Sequence, residues 1–304
     1  MSTATAPSPS APRVVERSER DLRSRRSRRL TAVLRNAAAV VVFVASVFPV
    51  YWMVNTSFQP NGQVRGADLH FWPDNGTLEN YAAVMFGDTR APFGPALANS
   101  IAVTLLTVVA ALVIGFLAAL AVTRFRFRTR GAFIIAILVV QMIPAEAMII
   151  SIFRLVDGWQ LLNTILGLSL VYVATVLPFT IWTLRGFVNG VPADLEEAAM
   201  IDGLSRPQAF WRITFPLLAP GLVATGVFAF IQAWNEFVFA LVLNPRPEAM
   251  TLPVWLRTFL DPNGGINWAE LMAASTLVAI PVVVFFLIIQ GRMTSGLVAG
   301  AVKG

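Results

Sequence analysis

The chain of 304 residues has no cysteine, a single histidine, His70, and a single lysine, Lys303. Without cysteine there is no thiol nucleophile, no disulfide and no thiolate zinc site. One histidine builds neither a histidine metal cage nor an imidazole proton relay. Charge is scarce too, at 13% of residues, about half of what an ordinary soluble domain carries. What is abundant is apolar side chain, 56% of the total. Uncharged runs at 36–64, 91–123, 158–184, 213–235 and 271–291 each reach the roughly 20 residues that cross a bilayer core. A soluble enzyme is excluded on this ground, and little bond chemistry is left for the chain to perform.

The first 30 residues are rich in Ser, Pro and Arg and end in Arg23, Arg25, Arg26, Arg28 and Arg29. This composition predicts a disordered basic tail over 1–30 ahead of a membrane domain over 31–304. The apolar stretch after the tail is longer than a signal-peptide core, and Val47-Phe48-Pro49-Val50 is a poor cleavage site, so the tail is expected to stay attached. Hydropathy predicts membrane helices at 32–54, 96–122, 131–153, 164–186, 217–241 and 269–290, an all-α polytopic protein with six transmembrane helices and both termini on one side.

The basic residues orient it. The tail, Arg35, Arg124 to Arg130, Arg185, Arg206, Arg212, Arg292 and Lys303 fall on one side and hold 18 of the 23 Arg and Lys residues. Arg65, Arg90, Arg154, Arg246 and Arg257 fall on the other. By the positive-inside rule the termini are cytoplasmic in a multi-pass cell-membrane protein. The same bias accounts for the net charge of +6, so no nucleic-acid partner is expected, and the Arg23–Arg29 run is a topology determinant and a contact for anionic membrane lipid. Loop 55–95, rich in turn residues, is an outer docking surface on which His70 is a surface residue.

The informative segment is the inner loop, 187–216. Asp194 with Glu197, and Ser205 with Gln208, have the spacing of capping boxes. Gly203 closes the first helix and Pro216 interrupts the second. Leu195, Ala198, Ala199 and Ile201 beside Glu196, Glu197 and Asp202 make a small rigid knob. Spacing alone leaves two readings open: a knob that enters a groove on a partner, or an amphipathic connector lying on lipid.

The order Glu197-Ala198-Ala199, three residues, Gly203, nine residues, Ile213, one residue, Phe215-Pro216 resembles the EAA loop of ABC-importer permeases. Further stretches are similar to the carbohydrate-importing, maltose-transporter-type members: Gln141-Met142-Ile143-Pro144, Leu162-Asn163-Thr164, Leu177-Pro178-Phe179-Thr180-Ile181-Trp182, Trp234-Asn235-Glu236-Phe237 and Ala299-Gly300-Ala301-Val302-Lys303-Gly304. Together they cover most of 40–304. Phe215, where leucine is usual, and Ser151, where proline is common, depart from the pattern.

The resemblance implies a half-transporter that pairs with a second permease, two copies of a cytoplasmic ABC ATPase and an extracytoplasmic solute-binding protein, with a sugar as substrate. It implies a coupling helix in which Glu196, Glu197, Ala198, Ala199 and Asp202 meet the ATPase and Gly203 provides the turn. It also makes Gly300, Ala301, Val302 and Lys303 candidates for a second ATPase contact. The chain itself would be no enzyme and bind no cofactor, Mg-ATP being held by the ATPase; no Gly-x-x-x-x-Gly-Lys-Ser/Thr sequence is present. A permease for another solute such as glycerol-phosphate, or a polytopic membrane enzyme, are the alternatives.

Within the spans, Gln141, Tyr172, Phe230, Gln232, Trp234 and Asn235 are candidates for the substrate pathway, since sugars are held by aromatic faces and hydrogen-bonding groups. The same residues serve equally as helix-to-helix contacts or interfacial belts. Glu146 and Glu236 fall toward the outer half of the bilayer, as functional carboxylates or as residues at the interface. Pro144, Pro178, Pro220 and Pro281 interrupt apolar runs, as hinges or as fixed bends.

Overall fold

The computed structural model describes residues 15–66, 70–87, 91–260 and 266–301, with side chains from residue 31 to residue 291 within those ranges. Among the described residues the regular elements are all helical. In chain order they are α1 (Val15–Ser57), α2 (Asn61–Val64), α3 (Glu79–Phe86), α4 (Phe93–Arg124), α5 (Arg130–Gln141), α6 (Ile149–Gly158), α7 (Ile165–Gly190), α8 (Asp194–Ile201), α9 (Arg206–Ala209), α10 (Phe215–Asn235), α11 (Val238–Leu243), α12 (Leu252–Leu256) and α13 (Trp268–Ala301). Five stretches are long and apolar enough to cross a membrane: Thr31–Ser57, Phe93–Arg124, Ile165–Gly190, Arg206–Asn235 and Trp268–Gly291. Helix α5 and the segment Ala145–Gly158 add a sixth if counted as one bent span.

Within the span expected at 131–153, the interruption expected at Pro144 is a sharp one: the two parts meet at 83°. Pro144 supplies the physical reason. It has no N–H to offer a continuing helix and forces its predecessor toward extended backbone. Helix α5 therefore ends in tightened bonds, Met142 N–H to Val139 O at 3.1 Å and Ile143 N–H to Val140 O at 3.2 Å. A 3-10 turn, Ala145–Met148, leads into α6.

Residues up to Val54 form one compact unit and those from Asn55 a second. In the first, α1 begins at Val15, inside the segment expected to be disordered; residues 1–14 lie outside the described residues. The apolar side chains Val40 to Val44 and Phe48 of α1 are exposed.

The second unit is centred on α4, α7 and α10, which pack on one another. Helix α4 buries Ala96, Ser100, Val103, Thr104, Thr107, Ala111, Gly115, Ala119 and Val122, a row of mostly small residues three or four apart. Small residues let helix backbones approach closely, and in lipid such packing replaces the hydrophobic drive of water. At Gly115 the approach is tight enough that an added Cβ would stand 2.5 Å from Thr180 Cγ2 on α7. Helix α13 packs on α2, α3, α10 and α12, and its Ala273 and Ala274 share a buried cluster with Phe93, Phe230, Trp234 and Trp255.

Hydrogen bonds gather the loops at two ends. At one, Asn99 Nδ2 donates to Glu248 O and Met250 O (2.8 and 3.1 Å) and Trp255 Nε1 to Ala91 O (2.9 Å). At the other, Arg124 Nη2 at the close of α4 donates to Val191 O after α7 (3.0 Å). The loops expected outside thus share one end, and 187–216 lies at the opposite end with the close of α4. Asn163, in the left-handed region at φ 58°, receives the Arg246 N–H on Oδ1 (3.1 Å). Its neighbour Thr164 caps α7 by accepting from Gly167 N–H at 3.0 Å.

Candidate functional site

Helix α8 projects from the end of the bundle that also carries Arg124. Its first turn holds Asp194, Glu196 and Glu197, carboxylates where unpaired N–H groups and the helix dipole favour negative charge. The expected Asp194 cap is displaced by one residue: Ala193 is the cap and makes no side-chain bond. The stop is as expected. Gly203 adopts φ +91°; its N–H donates to Met200 O and the Leu204 N–H to Ala199 O, both at 3.1 Å. This is the Schellman arrangement, which satisfies the last carbonyls of a helix and calls for a left-handed residue.

The second helix begins with the expected box: Gln208 Oε1 receives the Ser205 N–H at 2.9 Å. The interruption expected at Pro216 does not occur. Helix α9 runs through a π-turn, Phe210–Thr214, into α10, and the wider turn accommodates the proline near the start of α10. Phe210, Trp211 and Phe215 cluster there with Phe116 of α4.

The two faces of α8 differ. Glu197, Ala198, Asp202 and Gly203 are exposed, with Leu195 and Ile201, the latter 86% exposed. Glu196 and Ala199 turn inward. Ala199 is buried. Glu196 Oε1 accepts from Thr214 Oγ1 at 2.6 Å and lies 3.8 Å from Arg124 Nη2. Of the six residues expected to couple, four therefore share an open face and two face the bundle. Arg124 and Thr214 escaped the sequence reading, because a lone span-terminal Arg and a Thr carry no pattern that names their partner.

The pathway candidates separate as well. Tyr172 is 1% exposed, and its hydroxyl donates to Glu236 Oε2. Glu236 sits in the break between α10 and α11, accepting Phe239 N–H (2.7 Å) and Ala240 N–H (3.1 Å). Its side chain caps the start of α11. Phe230 and Trp234 are buried, stacked on each other, and Phe230 also stacks on Phe285. Gln232 and Asn235 are exposed. Gln141, with Glu146, Trp159 and Thr175, lines a largely apolar cavity of about 620 Å³ at the α5–α6 bend. His70 is half-buried and lies 3.4 Å from Asp74. Of the expected second ATPase contact, Gly300 and Ala301 end α13, while Val302 and Lys303 lie outside the described residues.

A bundle of long apolar helices bearing a short acidic helix and a glycine turn at one end defines a polytopic membrane protein. Residues 111–297 match the binding-protein-dependent transport system inner membrane component family, and the chain belongs to that family, as a multi-pass protein of the cell membrane. It is 45% identical over 269 residues to the diacetylchitobiose uptake system permease protein DasC of Streptomyces coelicolor, covering 88% of this chain and 96% of that one. It is 37% identical to the trehalose/maltose transport system permease protein MalG of Thermococcus litoralis, covering 90% and 98%. In fold it is similar to a chain of a bacterial ABC transporter involved in the import of the acidic polysaccharide alginate, with a TM-score of 0.74, 23% identity, and 88% and 97% coverage.

Proposed function

We propose that this permease is one half of the translocation pathway of an ATP-driven sugar or oligosaccharide importer, and that α8 is its coupling helix. The observation that carries the reading is the open face of α8, where acidic Glu197 and Asp202 flank apolar Leu195, Ala198 and Ile201 and a Schellman turn fixes the end. An apolar side chain as exposed as Ile201 beside ordered helix ends suits a partner groove. In this reading that end faces the cytoplasm, in keeping with its share of the Arg residues. The partners are a second permease, two copies of an ABC ATPase holding Mg-ATP, and an extracytoplasmic binding protein. ATP-driven closure of the ATPase pair moves α8 and rocks the attached spans between two openings. The names of the DasC and MalG relatives support a disaccharide or longer sugar as cargo.

Purification of the chain with its partners from detergent tests this. The expected result is a complex containing a second permease and an ATPase whose hydrolysis rises when the sugar-loaded binding protein is added. Recovery of the chain alone, or a binding protein that retains only an amino acid or a phosphate ester, would overturn the respective part.

A further inference from the structure

We propose that Glu196 is a positioning residue that, with Arg124 and Thr214, forms the joint through which motion of α8 reaches the spans. The inference rests on the reading of α8 as a coupling helix and assigns Glu196 a different task from its neighbour Glu197.

One carboxylate oxygen makes the joint. Glu196 Oε1 accepts from Thr214 Oγ1 at 2.6 Å, at the turn that opens α10. The same oxygen faces Arg124 Nη2 at 3.8 Å, and that guanidinium nitrogen also donates to Val191 O at 3.0 Å. A single cluster therefore ties α8 to the last residue of α4, to the cap of α7 and to the start of α10. The Arg124 and Glu196 side chains are 22% and 18% exposed, so solvent and salt screen the pair far less than a surface pair. Thr214 is fully buried.

Other links to the bundle are less specific. Backbone joins α8 to α7 through the short stretch from Val191 and to α9 through the Gly203 turn, and Ala199 gives non-directional packing. The Thr214–Glu196 hydrogen bond, by contrast, is short and directional and breaks on a small displacement, while Arg124 at 3.8 Å adds ion-pair attraction to the same oxygen. A shift of α8 by an ångström or more must either carry the start of α10 along or part that bond, and it draws or loosens the ion pair to the end of α4. Helices α4, α7 and α10 are the mutually packed core, so the joint meets the bundle where displacement spreads to every inner span.

The test uses the assembled transporter in proteoliposomes, measuring retained ATPase subunit, ATP hydrolysis and solute imported. Glu196→Ala removes both contacts. The expected result is undiminished ATPase binding with solute moved per ATP lowered by about tenfold, the scale of a partly buried coupled pair. Thr214→Val should give a smaller loss of the same kind. Exchanging the charges, Arg124→Glu with Glu196→Arg, should recover part of the solute moved per ATP that either single change loses; a merely structural role would instead lower retained ATPase subunit and protein yield in the single variants. Wild-type stoichiometry in Glu196→Ala, or loss of ATPase binding in step with transport, would overturn the joint. If Glu196→Ala behaves as wild type while Ala198 variants still detach the ATPase, only the joint fails; if the wild-type chain binds no ATPase, the coupling reading fails with it.

Discussion

At Gly203 one torsion angle decides what the chain tolerates. Nothing lies within 4 Å of a Cβ built there, so space within the chain is not the limit; φ +91° is. A bulky L-residue in the left-handed region costs roughly 1–2 kcal/mol, while Asn visits that region more readily. Gly203→Leu is expected to insert and assemble but lose transport and substrate-stimulated ATP hydrolysis. Gly203→Asn should keep the turn, with a drop in thermal midpoint smaller than that of Gly203→Leu. Equal stimulation in the Leu variant and the wild type, measured in the reconstituted complex, would show that neither the turn nor a close approach to the ATPase matters. Residue type made this glycine legible: a small knob, then glycine, is a helix stop on any reading. The division of labour between Glu196 and Glu197 was not, since two adjacent carboxylates look alike until helix rotation turns one toward Arg124.

Among the elements, α4 and α7 are the pair on which the bundle depends, and their contact rests on a side chain that is absent. Gly115→Ala places a methyl 2.5 Å from Thr180 Cγ2, and such overpacking costs about 1–3 kcal/mol. Thr180→Ser removes that methyl yet keeps the hydroxyl that donates to Val176 O at 2.9 Å. Gly115→Ala alone is expected to lower the thermal midpoint in detergent, and Gly115→Ala with Thr180→Ser to restore most of it; no drop in the single variant would mean that the helices are not this close. Helix positions were largely readable: 96–122 and 164–186 fall on α4 and α7 to within a few residues, because uncharged length alone marks a span. Breaks were not. Gln141-Met142-Ile143-Pro144 marks the 83° bend and Trp234-Asn235-Glu236-Phe237 the end of α10. Hydropathy averages across such points, because a turn satisfied by proline geometry or by an internal carboxylate needs no polar run. Phe230 and Trp234 pack in a core cluster, and residue type could not separate the two roles: stacking against a sugar and stacking in a core call for the same side chains.

For the whole molecule, the account requires the end that carries α8 to lie in the cytoplasm against a motor protein. The chain offers a clean means of asking, because it contains no cysteine: Ala198→Cys and Ile201→Cys each introduce a unique thiol on the open face of α8. The most direct measurement is thiol crosslinking in membrane vesicles of defined orientation, with and without ATP. The expected result is a crosslink from either position to the ATPase subunit, altered by ATP, and labelling by a membrane-impermeant reagent only when the cytoplasmic face is exposed. Labelling from outside intact cells, or a thiol that never crosslinks to an ATPase in the assembled complex, would contradict it.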